Sequence, residues 1–203
     1  MSEMVGTPTE TVVLATRNEH KLLEVRRILA PLGLAVQALG DDVVLPPEDG
    51  DTFVANALGK ARAAARAAGC AAVADDSGIE ADALDGRPGV RSARYAGETA
   101  SDLDNLHKLI AEVPSGTGLR YVCAFVWVPA PGASRGQERV FIGECRGRMA
   151  PVPRGARGFG YDPIFIPDEV EGERTMAELT ETEKDAISHR GRAVRALAAW
   201  MGG

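Results

Sequence analysis

Between residues 11 and 39 the chain changes its hydrophobic period twice, and this alternation limits the available folds more than any other feature. Residues 11–16, TVVLAT, are rich in β-branched side chains and read as a strand. Over 19–32 the apolar positions Leu22, Val25, Ile28, Leu29 and Leu32 recur at helical spacing, with Gly33 as a natural stop. A short strand over 34–39 follows. Chains that interleave strands and helices in this way build layers of helix on sheet.

The remainder continues in the same manner. Residues 52–68 form an Ala-rich amphipathic helix ended by Gly69. CAAVADDSGIEADAL reads as strand, tight turn, strand, and residues 102–113 as a short helix. RYVCAFVWV and ERVFIGEC read as a hairpin across a Gly/Pro/Ser linker. PRGARGFGYDPIFIP is a Gly-rich loop feeding another strand, and 180–200 is helical in composition. DDVVLPPEDGD is an acidic loop held irregular by its prolines, and residues 1–10 read as a frayed tail. The expected class is α/β, a mixed sheet flanked by helices.

The chain has 203 residues, enough for one domain or two closely packed lobes. Its net charge of −6 gives no global positive field for a nucleic acid, so an anionic ligand must be captured locally. Cys70, Cys123 and Cys145 are odd in number and far apart, which argues for reduced thiols in the cytoplasm. MSEMVGTPTE has neither a basic region nor an apolar stretch, so no signal peptide is expected. No run approaches the roughly 18 apolar residues of a membrane helix.

Five constellations carry possible chemistry. TRNEHK, residues 16–21, places neutral donors and Lys21 where a strand becomes a helix. That is a natural anion site, or simply a solvated turn with a helix-starting Asn18. ADDSG at 74–78 sets Asp75 beside Asp76, and only one of them can face a given cleft from a strand. Their repulsion is offset by a hard cation such as Mg2+, or the pair is a surface Asx-type turn. Glu48 in the acidic loop is a possible second metal carboxylate, or a solvated charge. In GFGYD, 158–162, the glycines allow close backbone approach, and Phe159 is either a stacking face or core. In EKDAISHRG, Lys184, His189 and Arg190 converge only if the helix breaks. Ser188 is a good cap, so a break is expected there, with two cations at a new helix start. The scattered histidines and lone cysteines exclude a zinc site, and no serine sits in a nucleophile-elbow context.

T-x-N-x-x-K, DDSG, GFGYDP and EK-x-A-x-SHRG occur in that order across most of the chain. Together they resemble the inosine triphosphate pyrophosphatase family, which hydrolyses dITP, ITP and XTP to the monophosphate and pyrophosphate. The resemblance implies a single domain over 1–203, an elongated mixed sheet with helices in two lobes, and a site in the cleft between them. It implies that Thr16, Arg17, Asn18, Glu19, His20 and Lys21 bind the phosphate tail. Glu48 and Asp76 would hold Mg2+, with Asp76 also the catalytic base and Ser77 beside the substrate. Phe159, Gly160, Tyr161 and Asp162 would line the base pocket, completed by Lys184, His189 and Arg190. Members are commonly homodimers.

The sequence departs from the pattern at Ala55, where the family often has glutamate, and at Arg157, where glycine is usual. It departs again at Cys145-Arg146-Gly147, where Trp-Pro-Gly is common. The rival expectations are a Maf-like pyrophosphatase for pyrimidine or modified nucleotides, and a nucleotide-binding module without catalysis. The family chemistry is attack of water on the α-phosphorus, which the protein assists chiefly by positioning and charge stabilisation.

Overall fold

The computed structural model describes residues 11–133 and 136–202; the expected tail at 1–10 lies outside them. Its strands are β1 (Thr11–Leu14), β2 (Ala35–Ala38), β3 (Ala72–Ala81), β4 (Gly118–Val128), β5 (Arg139–Met149) and β6 (Phe165–Pro167). Its α-helices are α1 (Glu19–Leu29), α2 (Phe53–Ala68), α3 (Asp102–Glu112), α4 (Glu181–Ile187) and α5 (His189–Met201). The strands form one sheet in the order β2-β1-β3-β4-β5-β6. β1 runs parallel to β2 and β3, and every later pairing is antiparallel, so the sheet is mixed as the sequence predicts.

The expected turn at DDSG is absent. β3 runs unbroken through it and pairs with β4 from Ala72 opposite Val128 to Ala81 opposite Leu119. Gly78 is required there by packing. A side chain at that position would collide with Ser92 Oγ and the Gly89 carbonyl, which close over the strand. The hairpin of β4 and β5 is present and longer at both strands than its apolar runs suggest.

Helices cover both faces of the sheet. α2 lays Ala57, Ala61, Ala64 and Ala65 against Ala72, Ala74, Val126 and Val128, small side chains that let helix and sheet approach closely. On the other face α1 and α5 pack Val25, Ile28, Val194 and Leu197 onto Leu14, Val73 and Phe125. Leu14, Val25 and Leu197 are fully buried, each contributing on the order of 1.5–3 kcal/mol. A further core, with Ile79, Leu109, Tyr121, Ile164 and Met176, lies along the later halves of β3, β4 and β5. Parallel pairing on both sides of β1 leaves a crevice at its carboxyl end, where α1 begins. No helix among the described residues is long and apolar enough to cross a membrane.

Candidate active site

The alternation of β3 decides where the two adjacent acids go. Val73, Asp75 and Ser77 face α1 and α5, while Ala72, Ala74 and Asp76 face α2. On the first face Asp75 is fully buried. Its Oδ2 lies 3.1 Å from Lys21 Nζ and accepts from Arg190 Nε at 3.1 Å and Nη2 at 2.9 Å. Burial alone would raise the pKa of this carboxyl. Lys21, Arg190 and Lys60 outweigh it and hold the group far below the usual carboxylate range.

From Asp75 the ion pairs continue without a gap. Arg190 Nη1 donates to Glu24 Oε2 at 2.5 Å, and Glu24 Oε1 lies 2.8 Å from Lys184 Nζ. Lys184 donates to Asp162 Oδ2 at 2.7 Å, and the Tyr121 hydroxyl donates to Asp162 Oδ1 at 3.1 Å. The expected break makes this possible. Ser188 is extended (φ −63°, ψ 151°) and its hydroxyl accepts from Gly191 N at 3.0 Å, separating α4 from α5. Arg190 thereby turns inward beside Lys184.

The expectation of two cations at this helix start holds for Arg190 alone. Burial, reinforced by Arg190 and Lys184, pushes the His189 pKa well below its ordinary value, so the imidazole is neutral. Its ring stacks on Tyr121 with centroids 4.6 Å apart, and its Nδ1 is buried without a partner among the described residues.

On the α2 face, Asp76 Oδ2 accepts from Asn56 Nδ2 at 2.8 Å and Oδ1 accepts from Ser77 N at 3.0 Å. Asn56 Oδ1 accepts from Gly50 N at 2.8 Å, which ties the acidic loop to the strand. Lys60 Nζ pairs with Glu48 and donates to the Asp75 carbonyl at 2.6 Å. Burial raises the Asp76 pKa; Lys60 opposes the shift and Glu48 adds to it.

The donor set fits a hard divalent ion. Among the described residues no three His, Cys, Asp or Glu side chains group to hold a metal, so no closed protein cage is built. Glu48 and Asp76 line one cleft. Mg2+ takes one or two carboxylates and completes its octahedron with water and substrate phosphates. Four cations, Lys21, Lys60, Lys184 and Arg190, face five carboxylates, Glu24, Glu48, Asp75, Asp76 and Asp162. A triphosphate entering such surroundings needs added positive charge.

Among the residues that line the cleft are Asn18, Lys21, Glu48, Asp76, Ser77, Phe159, Gly160, Tyr161, Asp162, Lys184, His189 and Arg190, all expected from the sequence; Gly78, Val90, Ser92, Ala93 and Asp102 also line it and were not expected. Thr16, Arg17 and Glu19 stand outside this lining. Thr16 Oγ1 accepts from Asn18 N at 3.1 Å. The Arg17 guanidinium bonds loop carbonyls, including Gly40 O at 2.8 Å and Val43 O at 2.7 Å, and so pins the loop after β2. His20 is likewise outside the lining; it stacks on Phe159 at 5.2 Å, and the two rings line a second depression. Glu24, Asn56, Lys60 and Tyr121 are additional members that the motifs do not reveal, and Asp75, singled out in ADDSG but given no role there, supports Lys21 and Arg190. A larger depression of about 520 Å3 near Glu80, Asp82 and Arg146 contains none of the motif residues.

A sequence model described as the Ham1 family matches residues 12–200. The chain belongs to the Ham1 family. Among its Ham1 relatives is a dITP/XTP pyrophosphatase of Frankia alni, 50% identical over 200 residues covering 92% of this chain and 95% of the relative. Another, a dITP/XTP pyrophosphatase of Nocardia farcinica, is 49% identical and covers 92% of each chain. The solved Ham1 protein of Coxiella burnetii superposes with a TM-score of 0.83 at 38% identity, covering 96% of this chain and 99% of that one. The Ham1 assignment agrees with the resemblance read from the four ordered motifs and with the mixed-sheet α/β fold.

Proposed function

We propose that this chain, acting as one domain over residues 1–203, hydrolyses dITP, ITP and XTP to the monophosphate and pyrophosphate. The observation that carries the reading is one cleft that gathers a cation-bearing strand-to-helix turn, a carboxylate pair and an aromatic, imidazole-lined wall. The Ham1 membership and the names of its relatives support this over a Maf-like or catalytically silent alternative.

In this reading Lys21 and the amide of Asn18 grip the phosphate tail, with the α1 N-terminus behind them. Glu48 and Asp76 would hold Mg2+, which when bound would supply charge neutralisation at the phosphate oxygens. Asp76 orients the attacking water and accepts its proton. Lys184 and Arg190 steady the charge that develops on the departing pyrophosphate. The base lies against Phe159.

Base selection follows from hydrogen-bond polarity. A 6-oxo purine presents an acceptor where adenine presents an amino donor. Neutral His189 can offer either a proton or a lone pair, so it does not by itself reject ATP. Donors that cannot reverse, such as backbone N–H groups, do so by being left unpaired, at a cost of several orders of magnitude in rate.

The lined space is about 120 Å3, below the roughly 300–1,000 Å3 of sites that enclose a small ligand. Nucleotide entry on this reading therefore widens the cleft. The chain works in the cytoplasm as a homodimer on this reading. Val140 and Ile142, exposed on β5, supply an apolar surface for the second copy, and light scattering tests it. Activity is tested by offering ITP, XTP, dTTP and ATP separately with Mg2+. Rapid turnover of ITP and XTP, with little of ATP and dTTP, is expected; preference for dTTP would favour the Maf-like reading.

A further inference from the structure

Asp75 touches three candidate substrate-binding residues through a single oxygen. Its Oδ2 lies 3.1 Å from Lys21 Nζ, takes both Arg190 bonds, and accepts from Ser77 Oγ at 3.2 Å. Its Oδ1 is buried with no partner among the described residues. The donors sharing Oδ2 are not equally committed. Arg190 is 2% exposed and is also held by Glu24, whereas Lys21 is 14% exposed at its side chain and lines the cleft. Asp75 is the one carboxylate that Lys21 contacts among the described residues. A phosphate seeking Lys21 must therefore compete with an anion already built into β3.

We propose that Asp75 is a positioning residue that competes with the nucleotide's phosphate tail for Lys21, yielding the ammonium when the tail binds and reclaiming it as pyrophosphate leaves. This rests on the pyrophosphatase reading above. Its physical content is that the phosphate grip is deliberately weakened by a fixed negative charge, so that the product is not retained. Arg190 stays on Asp75 and Glu24 throughout and keeps the carboxylate in place.

The test is Asp75→Asn, which keeps the shape and one acceptor oxygen but removes the competing charge. Inhibition by pyrophosphate should tighten about tenfold or more, since an opposite charge at ion-pair distance shifts such equilibria by one to three orders of magnitude. At saturating ITP, kcat should fall while KM falls with it, because release becomes slower. A merely structural role predicts the reverse: weaker pyrophosphate inhibition and a raised KM. Unchanged or weaker inhibition in a folded Asp75→Asn protein overturns the proposal.

A wild-type protein that yields no pyrophosphate from ITP would instead overturn the functional reading. If Asp75→Asn does not fold, a structure of the wild-type protein with pyrophosphate decides. Lys21 Nζ should stand beyond the ion-pair limit of about 4 Å from Asp75, and a retained contact at 3.1 Å overturns the proposal.

Discussion

Arg190 shows how strongly single residues here are committed to their neighbours. It is almost wholly buried and bonds Asp75, Glu24 and Ser77. Arg190→Ala would take a cation from two buried carboxylates, leaving Asp75 only Lys21 and Glu24 only Lys184 among the described residues, and the expected loss is about 3–5 kcal/mol of stability, read from the denaturant midpoint. A change within about 0.5 kcal/mol would contradict the buried network. Asp76 is tested differently. With Asp76→Asn, turnover at saturating Mg2+ should remain about 100- to 10,000-fold below wild type if the carboxylate accepts the proton. Restoration of turnover by excess Mg2+ would leave Asp76 as a metal ligand alone.

At the scale of elements, the site depends on how closely α5 approaches the sheet. Gly143 on β5 lies directly under the first turn of α5, and a Cβ there would collide with the His189 carbonyl oxygen and Ala193 N. Gly143→Ala should push α5 away, costing about 1–3 kcal/mol and lowering activity through displaced His189 and Arg190. Retention of wild-type melting and turnover would contradict this. Ser188→Ala should cost about 1 kcal/mol by removing the cap, measurable by thermal denaturation.

The break at Ser188 was legible because a capping residue interrupts a helical pattern. The DDSG turn was misread because Asp, Ser and Gly favour turns locally, whereas ten-residue pairing with β4 overrides that preference. Lys60, Asn56 and Glu24 were missed because charged and polar helix residues usually face solvent. A signal was nevertheless present. Asn56 and Lys60 are four apart on the stripe that also carries Ala57, Ala61 and Ala64, and Glu24 stands four before Ile28. What no pattern supplies is the pairing of Glu24 with Lys184 and Arg190, about 160 positions away, which only the fold brings together.

For the whole molecule, the concentration of buried charge sets the response to pH. Burial opposes ionisation of Asp75 and Glu24, but their cationic partners prevail and lower both pKa values in the folded protein. The unfolded chain then binds the extra protons. Stability from these groups is present above about pH 4.5 and is lost as pH falls through the unfolded values near 3.9 and 4.3 toward the folded ones. His189, held neutral by burial, acts earlier. Below about pH 6.5 its unfolded form takes up a proton that the folded form refuses, removing up to about 1.4 kcal/mol per pH unit. Denaturation midpoints between pH 7 and 4 should show this gradual decline; a flat profile to pH 5 would place the His189 imidazole in contact with solvent.

The central claim is attack of water at the α-phosphorus, and heavy-oxygen water tests it most directly. ITP is hydrolysed with Mg2+ in labelled solvent and the products are separated by mass. The label should appear in the nucleoside monophosphate, with unlabelled pyrophosphate as the other product. Label in orthophosphate, with the diphosphate as co-product, would move the attack to the terminal phosphorus and contradict the assigned roles of Asp76, Lys21 and Lys184.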